Sequence, residues 1–173
     1  IKLFQAFQGR KVLIYHNITP GHFFRKWDRH QEFLCEMGRR MLPTLTGCDL
    51  GLGVSEYNRQ ELIEAGFAPE RTGVLPIFLT VENFASVRTD KVLLKRLCGN
   101  GTVNFLSVGR IVPNKAVEDI IRVFHIYHRY INPDSRLFLV GSRYMPAYDA
   151  QLDALVRFLG LAEVVTFTGK VSL

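Results

Sequence analysis

Arg110 and Lys115 bracket the run Gly109-Arg110-Ile111-Val112-Pro113-Asn114-Lys115, which joins a stretch of β-forming residues to a helical pattern. A guanidinium can fork two hydrogen bonds onto phosphate oxygens, and an ammonium adds a compact point charge. Asn114 is the expected N-cap of the following helix, so the free amides of a helix start would face the same place and attract an anion. A lysine in the first helical turn works against the helix dipole by about 0.3–1 kcal/mol. That cost makes sense where an anion normally sits between the lysine and the helix end. The chemistry these residues point to is the binding of a diphosphate. The plainer reading is a solvated loop with surface charges.

Three buried-looking strands position this group. Val103–Val108 runs into Gly109-Arg110, Leu137–Val140 into Gly141-Ser142, and Val164–Thr168 into Gly169-Lys170-Val171. Ligands of parallel α/β sheets bind beyond the carboxyl ends of the strands, and glycine there lets backbone approach a ligand closely. Position at a strand's carboxyl end is what favours a functional reading of Arg110 and Lys115. The P-loop pattern is missing, and neither Gly51-x-Gly53 nor the lone Gly109 makes a dinucleotide fingerprint.

The remaining elements alternate. Lys11–Tyr15 is a short strand ending at His16-Asn17, and Phe33, Leu34, Met37 and Met41 repeat at helical spacing until Pro43. Asp49–Val54 is a second strand, weakened by Gly51 and Gly53. Ser55 is the expected N-cap of the next helix, with Glu56 well placed against the dipole and Leu62, Ile63 and Ala65 facing inward until Gly66. Thr72–Leu75 is a third strand, and residues 77–86 form a connection. Val87, Leu93, Leu94 and Leu97 then predict a helix before Gly99-Asn100-Gly101. After Gly109-Arg110 comes the clearest stripe, Val117, Ile120, Ile121, Phe124, Tyr127, His128 and Ile131, ended by Asn132-Pro133-Asp134. A last helix starts near Pro146 and buries Leu152, Leu155, Val156 and Leu159. Strands alternating with such helices predict an α/β fold of βαβ units on a parallel sheet, and the unbroken apolar run Leu137–Val140 predicts cover on both sheet faces.

Composition adds outer bounds. The 173 residues are 47% apolar and 22% charged, ordinary for a globular protein, and the net charge of +6 suits an anionic ligand or an anionic membrane surface. The apolar runs are strand-length, short of the ~20 residues a membrane span needs. No basic-then-apolar leader opens the chain, and Cys35, Cys48 and Cys98 are an odd, scattered set that fits a reducing, cytoplasmic location. Ile1 opens the chain, and Val171-Ser172-Leu173 closes it where a helix is due. The expectation is a piece of something longer.

Other polar residues have two readings each. His125 and His128 share a helix with no Cys or carboxylate partner nearby, so packing or surface placement is expected rather than metal ligation. His16 follows a strand end beside Asn17, where a structural hydrogen bond and a sugar contact are both open. The stretch Phe23-Phe24-Arg25-Lys26-Trp27-Asp28-Arg29 is expected to be a helix's packing face, with peripheral contact at a membrane as the alternative. Arg39 and Arg40 are expected on a solvated face.

On these residues the chain resembles the family 4 glycosyltransferases, whose GT-B fold pairs two Rossmann-like domains. Gly109 through Lys115 is similar to the family's Gly-Arg…Lys element. Tyr15–Pro20, Ser55–Asn58 and Gly73–Ile77 resemble segments of the acceptor-side domain, and Ser135–Gly141 with Phe167–Gly169 resemble the next strands of the donor domain. The resemblance implies Rossmann-like parallel sheets with helices on both faces, residues 1–84 belonging to the acceptor-side domain with its linker and 85–173 to the donor domain. It implies that Arg110 and Lys115 hold the diphosphate of a nucleotide-sugar as it departs from the anomeric carbon. Gly109, Gly141, Gly169, Lys170 and Val171 would border the donor, and His16 would face its sugar. The reaction implied is transfer to a glycan or lipid-linked acceptor, retaining and metal-independent, with the nucleotide-sugar as substrate, no cofactor and no nucleic acid. The family's N-terminal glycine-rich loop and its Glu-x7-Glu pair are absent. Glu56 and Glu64 have that spacing but follow Ser55 on a helix of the first half. Common members also have glycine where this chain has Ala116. The isolated piece is therefore expected to be inactive. The alternatives are a non-catalytic nucleotide-binding or interaction module of the same fold, and an unrelated sugar-phosphate enzyme of similar sheet order.

Overall fold

A computed structural model describes residues 2–80, 89–98 and 101–171. The chain divides into two compact units, Ile1–Arg25 with Arg29–Ser86, and Lys26–Asp28 with Val87–Leu173.

The first unit contains α1 (Lys2–Ala6), β1 (Val12–Tyr15), α2 (Arg29–Met41), β2 (Leu50–Gly53), α3 (Glu56–Glu64) and β3 (Thr72–Val74). Its strands lie parallel in the order β1-β2-β3, with Tyr15 opposite Gly53 and Gly51 opposite Thr72. Tyr15, Leu42, Cys48, Leu62 and Phe67 form its core. The helix α3 begins as the sequence predicts: the Ser55 hydroxyl accepts the Asn58 amide at 3.2 Å, and Glu56 occupies the first turn. The two glycines of β2 have a packing reason. A Cβ at Gly53 would run into the backbone of Asn58 and Arg59, and one at Gly51 would press on Phe67 at 3.1 Å. Their bareness lets α3 lie close against the strand.

Several expectations for this unit fail. Phe33, Leu34, Met37 and Met41 form a true helical stripe, yet each is exposed and Cys35 is the buried residue of α2. That helix packs chiefly on the short turns Gly21–Phe23 and Leu42–Leu45, so periodicity identified a helix without identifying its covered face. The stretch expected as a helical packing face is instead the turn Gly21–Phe23 with an irregular continuation, of which Phe24 is buried. Nor is Arg39 a solvated charge. It donates to the Ile18 carbonyl at 2.7 Å and to Glu61 at 3.0 Å, while Asn58 donates to the other Glu61 oxygen at 3.3 Å. The buried face of α3 is thus Asn58, Glu61 and Leu62, with Ile63 and Ala65 only half-buried.

The second unit contains α4 (Lys91–Cys98), β4 (Val103–Val108), α5 (Val117–Tyr130), β5 (Ser135–Val140), α6 (Pro146–Phe158) and β6 (Val165–Gly169). Asp90 caps α4, accepting the amides of Val92 and Leu93 at 2.9 and 3.0 Å. Val87, assigned to that helix from its spacing, lies outside the described residues. The sheet is parallel in the order β4-β5-β6. Leu137 and Leu139 of the central β5 are buried, with Phe138 and Val140 half-buried on the other face. β4 departs from expectation: Leu106 is 67% and Val108 72% exposed. Among the described residues β4 pairs only with β5, so apolar composition there marks an edge strand rather than a fully covered one. Val117, Ile121 and Phe124 of α5 and Tyr148, Leu152 and Val156 of α6 are buried. Phe105 meets Phe124 and Tyr127 edge-on, at 5.8 and 4.7 Å between ring centres.

Candidate functional site

The parallel order of the second sheet sets Gly109 and Gly141, just past β4 and β5, beside Gly169, the last residue of β6. The Gly109 amide donates to the Val140 carbonyl at 2.9 Å, and the Gly141 amide to the Gly169 carbonyl at 3.0 Å. One step further, the Ile111 amide donates to the Ser142 carbonyl at 3.1 Å, extending the pairing into an isolated bridge between Ile111 and Arg143. All three glycines have positive φ, 157°, 152° and 71°, a region closed to most side chains. They differ in surroundings. A Cβ at Gly141 would fall on the Gly109 carbonyl oxygen, whereas Cβ atoms at Gly109 and Gly169 would meet nothing within 4 Å. Gly141 is required by chain crossing, and the other two leave bare backbone facing open space.

Arg110 follows the first of these glycines and is exposed. Its Nη1 donates to the Tyr144 hydroxyl at 3.1 Å, with the guanidinium carbon 6.0 Å from the Tyr144 ring centre. Lys115 is also exposed. It lines a groove of about 470 Å³ with Phe105, Ser107, Ala116, Asp119 and Tyr127. Arg110 does not line that groove. Among the described residues neither is paired with a carboxylate. Lys170 and Val171 are exposed past Gly169.

The approach to α5 differs from expectation. Asn114 is not its N-cap. It lies within a 3₁₀ turn, Pro113–Lys115, and the cap position belongs to Ala116, which has no side chain able to bond and adopts the left-handed conformation at φ 47°, ψ 47°. The Asn114 Oδ1 atom is buried with no partner among the described residues. A proline two residues ahead of the lysine favours the tight turn, and the chain needs a left-handed residue to leave it. Ala116 serves there without the freedom a glycine would bring. Lys115 therefore ends a 3₁₀ turn, and its charge does not oppose the dipole from inside the helix.

The neighbouring arginine makes a contrast. Arg143, past β5, pairs with Asp149 at 3.3 Å and Asp153 at 2.8 Å and lies over the Phe167 ring at 4.4 Å. The Asp153 hydrogen bond is the main reason its guanidinium holds its proton even more firmly than an ordinary arginine. Deeper in, the Tyr148 hydroxyl donates to Glu118, tying α6 to the first turn of α5. Burial, then the Glu118 contact, pushes the Tyr148 hydroxyl far up from its ordinary value. Sequence reading missed Tyr144 and Tyr148. Tyr148 precedes Leu152 and Val156 by multiples of four and could have been joined to that stripe.

His16 is exposed at the end of β1, beside Asn17 at φ 82°, and belongs to the first unit. His128 shares a hydrogen bond with Ser135 at 3.1 Å. Among the described residues no cluster of three His, Cys, Asp or Glu could hold a metal. No described helix is long and apolar enough to cross a membrane.

No curated protein sequence matches this chain. Among solved structures, the chain is similar to HepE from Anabaena in complex with UDP-glucose, with a TM-score of 0.73 at 19% identity over 94% of this chain and 42% of HepE. It is also similar to trehalose-6-phosphate synthase OtsA, with a TM-score of 0.70 at 14% identity over 98% of this chain and 43% of OtsA. A glycosyltransferase from Rickettsia africae ESF-5 gives 0.63 at 12% identity, over 99% of this chain and 49% of that protein. The chain thus spans less than half the length of each of these structures, and its α/β fold is the GT-B fold they share. Residues 97–173 match the family model described as Glycosyl transferases group 1. That match falls within the second unit, from the end of α4 through the loops after β4, β5 and β6.

Proposed function

We propose that this chain carries the donor-phosphate half of a nucleotide-sugar-dependent glycosyltransferase. The observation that carries the reading is the row of three glycine strand ends, Gly109, Gly141 and Gly169, with Arg110 directly after the first, Lys115 at the end of the same loop, and neither cation paired with any described carboxylate. Bare backbone lets a diphosphate come close, and two cations supply charge where negative charge develops on the leaving group. Arg110 and Lys115 take the diphosphate, and Gly141 with Gly169, Lys170 and Val171 borders the nucleoside. His16 contacts the donor sugar. HepE was crystallised with UDP-glucose, which makes a uridine nucleotide the first donor to try. The transfer goes to a glycan or lipid-linked hydroxyl, with retention at the anomeric carbon and no metal. The first unit serves the acceptor side, and any membrane contact is peripheral.

The test is transfer by the full-length protein bearing Arg110→Ala or Lys115→Ala. Loss of one preorganised charge contact lowers turnover by about 10²–10³-fold, with the melting temperature unchanged because both side chains are exposed. Near-normal turnover in both variants overturns the assignment.

A further inference from the structure

We infer that Tyr144 is a positioning residue for Arg110, fixing the guanidinium at the mouth of the glycine row; this rests on the proposed diphosphate site and deepens it. The two residues sit on neighbouring chains whose register is set by backbone. Gly109 bonds to Val140, Ile111 bonds to Ser142, and Ile111 bridges Arg143, so Arg110 and Tyr144 flank the same bridge. Ile111 and Met145, the next residues along, are 3% and 5% exposed and anchor both loops. Arg110 and Tyr144, by contrast, are both exposed.

The contact is chiefly a hydrogen bond. Nη1 lies 3.1 Å from the tyrosine oxygen. The guanidinium carbon is 6.0 Å from the ring centre, at the outer limit for attraction to a π face. One N–H engaged in this way leaves four of the five guanidinium donors for an anion. An exposed arginine otherwise samples many rotamers, and binding must arrest them. Tyr144 arrests them beforehand and leaves the charge un-neutralised. Arg143, the residue just before this tyrosine, is instead committed to Asp149 and Asp153 and is unavailable for the same task. Tyr144 is itself 51% exposed, so altering it does not empty the core.

The test is calorimetric titration of this chain with UDP, for the unaltered protein, Tyr144→Phe, Tyr144→Ala, Arg110→Ala and the double variant Arg110→Ala/Tyr144→Phe, with melting curves for each. Loss of the advance ordering of one rotamer-rich side chain weakens UDP binding about 3- to 10-fold in Tyr144→Phe. Tyr144→Ala loses at least as much, and Arg110→Ala loses more than either. In the Arg110→Ala background, Tyr144→Phe has no further effect, because the tyrosine acts only through the arginine. Three results overturn parts of this. Unchanged affinity in Arg110→Ala, or no UDP binding by the unaltered chain, removes the diphosphate site and this inference with it. Weakened binding in Arg110→Ala with unchanged affinity in both Tyr144 variants overturns the inference alone. So does a Tyr144→Phe loss that persists undiminished in the Arg110→Ala background.

Discussion

Among the described residues the two sheets have the same strand count and the same parallel order, yet they place glycine differently. In the first, Gly51 and Gly53 lie inside β2, and the space they leave is filled by α3 and Phe67. In the second, Gly109, Gly141 and Gly169 lie at the strand ends with positive φ, and two of the three leave space that nothing fills. A glycine within a strand here is a packing device. A glycine just past a strand is a turn device that keeps backbone bare. The distinction separates the unit whose glycines serve the core from the unit whose glycines serve a surface.

Substitution at these positions tests that distinction most strongly. Gly141→Ala forces a methyl onto the Gly109 carbonyl, and Gly53→Ala forces one onto the α3 backbone; each is expected to cost on the order of 3 kcal/mol or more in urea unfolding. Gly169→Ala, with open space around it, adds only left-handed strain of about 1–2 kcal/mol. Equal costs at Gly141 and Gly169 would erase the difference between crossing and turning.

The polar clamps of the two units come next. In the first, Glu61 has a side chain 6% exposed and Arg39 one 34% exposed. Glu61→Leu strips the buried partner and leaves Arg39 with the Ile18 carbonyl, for a loss of about 2 kcal/mol, below the fully buried range because Arg39 reaches water. Thermal unfolding read by circular dichroism checks it. In the second unit, Tyr148→Phe removes the bond to Glu118 and costs about 1 kcal/mol at neutral pH. Because folding raises the Tyr148 pKa above its ordinary 10.0, this group's stabilisation is intact below pH 10 and declines as pH climbs beyond it. Stability curves of the unaltered protein and Tyr148→Phe should therefore converge in strongly alkaline solution.

The smallest effect concerns Ala116. Its left-handed φ of 47° strains alanine by about 1–2 kcal/mol, while glycine adds roughly 0.5–1 kcal/mol of unfolded-state entropy. Ala116→Gly is expected to raise the melting temperature slightly, and a clear decrease would show that the turn does not need a glycine-like residue.

Much of the architecture was legible along the chain. The α5 stripe from Val117 to Phe124, the Ser55 cap and the glycine stops after β4, β5 and β6 follow from local chemistry alone, since each depends on residues within a turn or two. That Arg110 and Lys115 lie on one strand-to-helix loop was legible for the same reason. Burial was not. Phe33, Leu34 and Met37 have the spacing of a core stripe and stand exposed, and the apolar β4 lies at an edge, because periodicity records that a face exists and not what covers it. The Asn114 cap failed for a different reason. The loop spends an extra turn on Pro113–Lys115, and propensity at one residue cannot count the residues a loop needs to reach its helix.

By itself, then, the order of residues determined where strands stop, which helices start and that Arg110 and Lys115 share one loop. Only the folded arrangement decided that Gly141 crosses Gly109, that Arg39 belongs to Glu61, and that Arg110 turns to Tyr144 while Arg143 is held by two carboxylates. The first group of facts depends on interactions a few residues long. The second depends on tertiary placement: Gly141 meets Gly109, and Tyr144 meets Arg110, across parallel neighbours whose register hydrogen bonding between strands sets, while Arg39 and Glu61 meet between two helices, and local preference encodes none of these.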